Sequence, residues 1–398
     1  MTTSTRNRMP ARELLPLIGI SVAAFIFNVS EFMPVGLLVD IGQTFGTSDA
    51  TTGMLISVYA WAVMLLSLPL MIWASRIAFK PLVLGLLFVF AAGQVFSALS
   101  PTYETLMAAR LVVACAHSIF WAIAAPVAVR VVDMRHASLA VAMVEMGAAL
   151  AMTVGLPLGR VIGLVLGWRQ TFALISACGF LCMAFLAFVF PKIPAAKPFT
   201  LKQMPSILQN NALVGIFIVT ALFAMGYYVA YSYIEPYFLE VSNLDSSFIT
   251  GVLVVFGIFG IFGSWLCARF YSQNRKFFAL WTIFGVLAAL LLMCFCSASP
   301  VVAVFVCALW GMSNAGFSMV YQAEIIRFAK DCEQTVAMAI FSGIYNLGIG
   351  SGSFIGGLVC ANASISLVGF VGGAIVAVAL VYCACKISNM QKSATDSH

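Results

Sequence analysis

Residues 52–80 read TGMLISVYAWAVMLLSLPLMIWASRIAFK. From Thr52 to Ala74 the run carries no charge, and Arg76 and Lys80 follow within six positions. A helix of that length is about 35 Å long, enough to cross a hydrocarbon core of roughly 30 Å. A barrel strand would alternate polar and apolar residues over about ten positions, and this run does not. The stretch predicts one transmembrane helix with a basic anchor at its end.

The same pattern recurs along the chain. Apolar runs over 14–38, 52–74, 81–100, 104–128, 138–159, 166–190, 212–238, 247–268, 277–297, 300–326, 334–360 and 364–386 predict an all-α membrane protein with twelve spanning helices. Composition agrees: the 398 residues are 63% hydrophobic and 9% charged, with a mean hydropathy of +1.06. Soluble chains carry roughly 25% charged residues, so lipid must be the solvent here. Arg6, Arg8 and Arg12 before the first run resemble the charged start of a signal peptide. That run is too long for a signal core and no small-residue cleavage site follows it, so an uncleaved first helix is expected.

Basic residues fall on alternate connections. Arg6, Arg8 and Arg12 come first, then Arg76 and Lys80, Arg130 and Arg135, Lys192, Lys197 and Lys202. Arg269, Arg275 and Lys276, Arg327 and Lys330, and Lys386 and Lys392 continue the series. Only Arg110, Arg160 and Arg169 of the twenty fall elsewhere. Asp40, Asp49, Glu104, Glu240 and Asp245 occupy the opposite connections. The positive-inside rule then predicts an inner (plasma) membrane protein with both termini in the cytoplasm. The net charge of +6 is topological, and dispersed basic loops give no nucleic-acid surface.

The stretch 191–211, PKIPAAKPFTLKQMPSILQNN, is the longest polar segment and follows the sixth run. It predicts a cytoplasmic linker between two six-helix bundles, 1–190 and 212–398. Val141-Ala142-Met143 recurs as Val336-Ala337-Met338, and Gly155 as Gly350, both 195 residues apart. A parallel repeat of six helices is how one class of transporter is built, with its site between the halves near the membrane midplane. The eleven cysteines give no metal or disulfide pattern. Cys294 with Cys296, and Cys383 with Cys385, are spaced too closely for a zinc pair and lie in apolar helix. No cofactor, metal or enzymatic centre is expected, since no nucleophile triad or catalytic domain is present. The glycines do not cradle a phosphate either, because no strand precedes them.

These features resemble the major facilitator superfamily over the whole chain. Arg110 is similar to that family's fourth-helix arginine. GAALAMTVGLPLG (147–159), with Gly147, Gly155, Pro157 and Gly159, resembles the glycine-proline motif of its drug/proton antiporter branch, as does Gly167-Trp168-Arg169 with Phe172. The loop ASRIAFK (74–80) keeps two basic residues but lacks the family's aspartate and glycine. AFIFN (24–28), EF (31–32) and PVGLL (34–38) are similar to bacterial sugar efflux transporters of the SotB type. So are AHSIFW (116–121), AYSYIEP (230–236) and FSGI (341–344) with Asn346, Gly348, Ile349 and Gly350. The resemblance implies a pseudo-two-fold bundle pair that exports arabinose-like sugars, thiogalactosides or drugs in exchange for protons, working as a monomer.

Within that frame the polar residues inside the runs are the candidates. An ionised acid in the membrane costs roughly 2.5–3.5 kcal/mol on insertion scales, which makes Glu31 a candidate proton carrier. The plain alternative is a structural carboxylate neutralised by Arg110 or capped by Asn28. His117 is the only histidine inside a run, and imidazole ordinarily titrates near neutrality. Arg110, His117 and Trp121 share one helix face by their spacing. Arg110 needs a partner, with Glu31 expected as its acid. Phe27, Asn28, Ser118, Trp121, Tyr231, Glu235 and Asn346 are the candidate substrate contacts. Interhelical hydrogen bonding is the alternative for Asn346, an aromatic belt for the tyrosines, and outer gating for Glu235. Pro236 should break or bend the seventh helix. Glu145 is expected to reach Arg130 or Arg135, the alternative being a second protonatable site, and Glu324 to pair with Arg327 or Lys330. A multidrug exporter on the same scaffold and a non-transporting receptor or scaffold are the rival functions.

Overall fold

The computed structural model describes residues 9–195, 204–330 and 334–395. Arg6, Arg8, Lys197, Lys202 and His398 lie outside the described residues. Among the described residues twelve helices are long and apolar enough to cross a membrane. They are built on α1 (Ala11–Phe32), α2 (Asp49–Ala74), α3 (Phe79–Leu99), α4 (Tyr103–Arg130), α5 (Ala137–Leu150, the α-helical part of a span over Met134–Gly155) and α6 (Trp168–Val189). The second half supplies α7 (Asn211–Tyr231), α8 (Ser246–Phe270), α9 (Arg275–Leu292), α10 (Pro300–Phe328), α11 (Gln334–Asn362) and α12 (Val368–Thr395). Below, the basic end is the one carrying Arg76, Arg130 and Arg327, and the acidic end carries Asp49, Glu104 and Asp245.

Three predicted spans differ from the structure near a proline, and α12 runs on to Thr395, nine residues past the expected 386. The first was expected to run to residue 38, but α1 stops at Phe32, passes through a tight turn at Met33–Gly36, and a separate short helix follows at Leu38–Phe45. Proline removes a backbone donor and its ring meets the carbonyl four residues back, which for Pro34 is Ser30. The fifth run holds Pro157, whose ring confronts the Thr153 carbonyl. A single π turn at Ala151–Gly155 absorbs this, and helix resumes over Leu156–Leu166, seven residues past the expected end at 159. The seventh run, expected to reach 238, leaves the helix after Tyr231. Residue 232, four before Pro236, is where the break falls.

Apolar residues sort into two cores. One holds Leu87, Phe90, Phe120 and Phe172 from the first six helices. The other holds Phe223, Ile283, Trp310 and Phe317 from the last six. Phe32, Val35, Leu38, Ile56 and Ala60 come from the first half but pack into the second core, so the halves mesh there. Leu65, Phe96, Leu181, Phe188 and Phe305 are exposed around the outside, where lipid is the solvent. Gly311 lets α10 meet α8 directly: a Cβ there would land on the Phe256 carbonyl.

Candidate functional site

The site begins at the end of α1. The Glu31 carboxylate lies 3.5 Å from His117 Nε2 on α4, with side chains 10% and 3% exposed. The expected Glu31–Arg110 ion pair does not form among the described residues. Arg110 instead donates to Ser30 Oγ at 3.1 Å, and Ser30 also accepts from the Gln94 amide of α3. Its guanidinium stacks over Tyr59 of α2 at 4.4 Å and faces Phe172 of α6 at 5.8 Å. Ser30 and Glu31 are adjacent and so point about 100° apart around α1. Arginine takes the first and histidine the second. A charged planar group that stacks and hydrogen-bonds at once fits this slot where lysine would not.

Ser30, Gln94 and Tyr59 were missed by the sequence reading. Gln94 was the visible signal, an amide in the middle of an apolar run. Tyr59 Oη, His117 Nδ1, Gln94 Oε1 and Arg110 Nε are buried without hydrogen-bond partners among the described residues. Buried polar atoms are rarely left so, which gives this cluster unspent hydrogen-bonding capacity.

The other candidates are placed as follows. Phe27 is fully buried in the first core, stacked on Phe120 at 4.3 Å and against Phe90 at 4.1 Å. Asn28 does not cap Glu31; its amide donates to the Ala148 carbonyl at 3.2 Å and ties α1 to α5. Ser118 Oγ donates to its own helix at Cys115. Trp121 is half-buried, its ring 6.2 Å from His117. Tyr231 is buried in an aromatic cluster with Tyr227, Phe256 and Trp310. Its hydroxyl has no partner among the described residues. Asn346 donates to the Ser342 carbonyl of its own helix at 3.0 Å and its oxygen is unpartnered. Phe32 stacks on Tyr228 across the two halves, 6.3 Å between centroids. Glu324 pairs with Arg327 at 3.4 Å, as expected, whereas Glu145 forms no ion pair among the described residues.

At the acidic end the halves are locked together. Glu235, just past α7, forms a buried ion pair with Arg160 of the Leu156–Leu166 helix. Its second oxygen accepts from the Leu38 N–H at 3.1 Å, and Arg160 also donates to the Gly36 carbonyl at 3.0 Å. Arg160 was noticed in the sequence only as a basic residue off the loop pattern. Asp40 lies beside this lock, its carboxyl pushed above the usual carboxylate range by burial and partly held down by Arg160. Nearer the middle, Thr153 donates to the Gly257 carbonyl at 3.1 Å and Trp61 Nε1 to Ser351 at 3.3 Å. Gly147 and Gly155 lie where a Cβ would strike Ser21 and Val29 of α1, and a Cβ on Gly159 would stand 3.4 Å from Met33. Gly147 and Gly155 therefore seat α5 and the π turn after it on α1. Among the described residues no group of three or more His, Cys, Asp or Glu side chains could hold a metal.

Twelve membrane-length helices among the described residues, packed around buried ionisable groups, give a multi-pass membrane protein with the build of a small-solute transporter. A family model described as Major Facilitator Superfamily matches residues 20–331, and the chain belongs to that family. It is 38% identical over 370 residues to a "Probable sugar efflux transporter" of Helicobacter pylori (strain P12), covering 93% of this chain and 94% of that one. A protein of the same description from Mannheimia succiniciproducens is 36% identical over 372 residues, 93% of each chain. The fold matches the crystal structure of a bacterial homolog to the human lysosomal transporter Spinster, with a TM-score of 0.73 at 14% identity over 95% of this chain and 96% of that one. It also matches a POT family transporter in complex with 5-aminolevulinic acid, with a TM-score of 0.75 at 11% identity over 98% of each.

Proposed function

We propose that the protein exports small sugars, of the arabinose and thiogalactoside kind, in exchange for protons. The observation that carries the coupling is the Glu31–His117 contact, buried beside Arg110. Binding or losing one proton changes the charge of this pair by one unit next to a fixed cation. In a low-dielectric site that step is strongly felt by its surroundings. The sugar efflux description of the relatives supports sugar as the cargo. In this reading Phe27, Asn28, Ser118, Trp121, Tyr231 and Asn346 shape the substrate path. Glu235 moves from substrate contact to gating, with Arg160 as its partner. Gly147, Gly155, Pro157 and Gly159 form the flexing segment.

In this reading the lock is one end of an alternating-access cycle. The four hydrogen-bonding contacts between the halves among the described residues, at Glu235–Arg160, Glu235–Leu38, Thr153–Gly257 and Trp61–Ser351, lie between the middle and the acidic end. This supports a state closed at the acidic end. With basic loops in the cytoplasm, the inner membrane as host and both termini inside, that is a cytoplasm-facing state. The bundles 1–190 and 212–398 rock about the linker 191–211, and one chain suffices as a monomer. Facing out, the pair takes a proton. Facing in, it releases the proton and cytoplasmic sugar binds. The Phe32–Tyr228 stack and the Tyr231–Trp310 cluster also favour flat apolar cargo, the multidrug reading.

Proteoliposomes with an imposed proton gradient test the coupling. Uphill efflux of labelled arabinose should vanish when Glu31→Gln and His117→Ala are combined, and intact uphill efflux would sink the reading. Competition between arabinose and lipophilic cations separates sugar from drug cargo.

A further inference from the structure

The second bundle contains a cavity that the transport path does not use. It has a volume of about 560 Å³ and opens at the basic end, inside the bundle rather than between the halves. Its walls come from α7, α9, α10 and α12, and Ile216, Val219, Ala279 and Phe328 make them largely apolar. Its mouth is different. Arg275, Lys276, Arg327 and Lys386 surround it, against a single acid among the described residues, Glu324. Glu324 is already occupied by the Tyr271 hydroxyl and by Arg327. Among the described residues Arg275, Lys276 and Lys386 have no ion-pair partner.

Two of those cations stand where helix electrostatics oppose them. Arg275 and Lys276 occupy the first turn of α9, whose first turn holds no acid. A helix N-terminus carries partial positive charge and disfavours cations there. An anion at the mouth would meet both side chains and the helix end together. The positive-inside rule accounts for basic residues at this end. It does not account for their converging on the mouth of an apolar cavity.

We propose that this cavity binds an anionic phospholipid from the adjoining leaflet, its phosphate held by Arg275, Lys276 and Lys386 and its apolar part lying among α7, α9, α10 and α12. A small soluble anion would leave the apolar walls facing water. An amphiphile covers both parts, and basic sites between membrane helices suit anionic headgroups. The volume falls within the range of ordinary ligand sites, roughly 300–1,000 Å³. The assignment is independent of which solute is carried.

Native mass spectrometry of the purified full-length protein tests it, with equal amounts of dioleoyl phosphatidylglycerol and dioleoyl phosphatidylethanolamine as probes. The wild type should retain phosphatidylglycerol about tenfold better, a difference of about 1.4 kcal/mol. Lys276→Gln combined with Lys386→Gln should abolish that preference. Arg76→Gln combined with Arg130→Gln removes equal charge from the same end away from the cavity and should preserve it. Equal loss in both double variants overturns the proposal, as does no loss in either. Binding of glycerol 3-phosphate as tightly as phosphatidylglycerol also overturns it, by making the site one for soluble anions.

Discussion

Arg160 and Glu235 form an ion pair that joins the two halves of the molecule with side chains 0% and 2% exposed. The pair is completed by main chain, since Gly36 offers its carbonyl to Arg160 and Leu38 its N–H to Glu235. The turn after α1 therefore serves as the third wall of the lock. Pro34 both ends that helix and leaves these backbone groups free for tertiary use.

Removing one partner of such a pair leaves a buried charge alone, at a cost of about 3–5 kcal/mol. Glu235→Gln should weaken the acidic-end closure by that order. Hydrogen exchange of the segment around Leu38 should speed up, and the thermal midpoint should fall. Combining Arg160→Met with Glu235→Met removes both charges and should recover much of the stability. Unchanged exchange at Leu38 in Glu235→Gln would mean the lock does not hold the halves.

The π turn at Ala151–Gly155 packs on α8 through Gly257, where a Cβ would meet the Thr153 backbone. Gly257→Ala should destabilise by about 1–3 kcal/mol through overpacking. Thr153→Val loses the hydroxyl whose proton is shared between the Gly257 carbonyl and the Ala149 carbonyl of its own helix, and should cost about 0.5–1.5 kcal/mol. Chemical denaturation of both variants checks the ranking, and the reverse order would contradict this contact.

The fold was legible because apolar length and loop charge are one-dimensional signals, carried by runs such as 52–74 with Arg76 and Lys80. Helix breaks at Pro34, Pro157 and Pro236 were partly legible, since proline names the strained carbonyl but not how many turns are lost. Pairings were harder. Arg110 and Glu31 suggested each other by charge and depth, yet rotation around α1 gives Arg110 to Ser30 and Glu31 to His117. Arg160 stayed unread because its partner lies 75 residues away, on the other half of the molecule. No periodicity within one helix encodes such a contact.

Asp40 lies in the connection after α1, outside the spans, with its carboxyl raised above the ordinary range mainly by burial. A raised folded-state value means the folded form holds its proton more tightly than the unfolded chain. The resulting stabilisation is fully present below the unfolded value and is lost as pH rises through the folded one. Lowering pH from neutral should therefore favour the closed acidic end at this residue. Asp40→Asn should flatten that part of the profile when thermal midpoints are compared between about pH 4 and 7, the region above a free aspartate's titration. A profile identical to wild type would exclude Asp40 as a contributor.

Asn346 presents an unpartnered amide oxygen near the middle of α11, while its nitrogen is spent on Ser342. Asn314 is different, because its oxygen already accepts from Tyr345 at 3.4 Å. If Asn346 receives a sugar hydroxyl, Asn346→Ala should weaken isopropyl thiogalactoside binding by about 1–3 kcal/mol, roughly 5- to 150-fold. Asn314→Ala should change it less. Titration calorimetry on the purified protein distinguishes them, and equal effects would remove Asn346 from the substrate path.

Glu31→Gln separates coupling from binding. Glutamine keeps the size of the side chain and can still hydrogen-bond His117 Nε2, 3.5 Å away in the native pair. It cannot gain or lose a proton at neutral pH. A transporter that still binds sugar and still rocks should therefore retain sugar counterflow, which needs no net proton movement. Its concentrating power should be lost. One charge crossing about 150 mV supplies roughly 3.5 kcal/mol, enough for a sugar gradient of a few hundredfold. Efflux against a gradient in energised proteoliposomes should fall from that order toward unity in Glu31→Gln, while counterflow stays within about threefold of wild type, less than 1 kcal/mol. Loss of both activities would instead make Glu31 a structural or substrate-binding residue. Retention of both would move the proton to His117, whose Nδ1 is buried and unpartnered among the described residues.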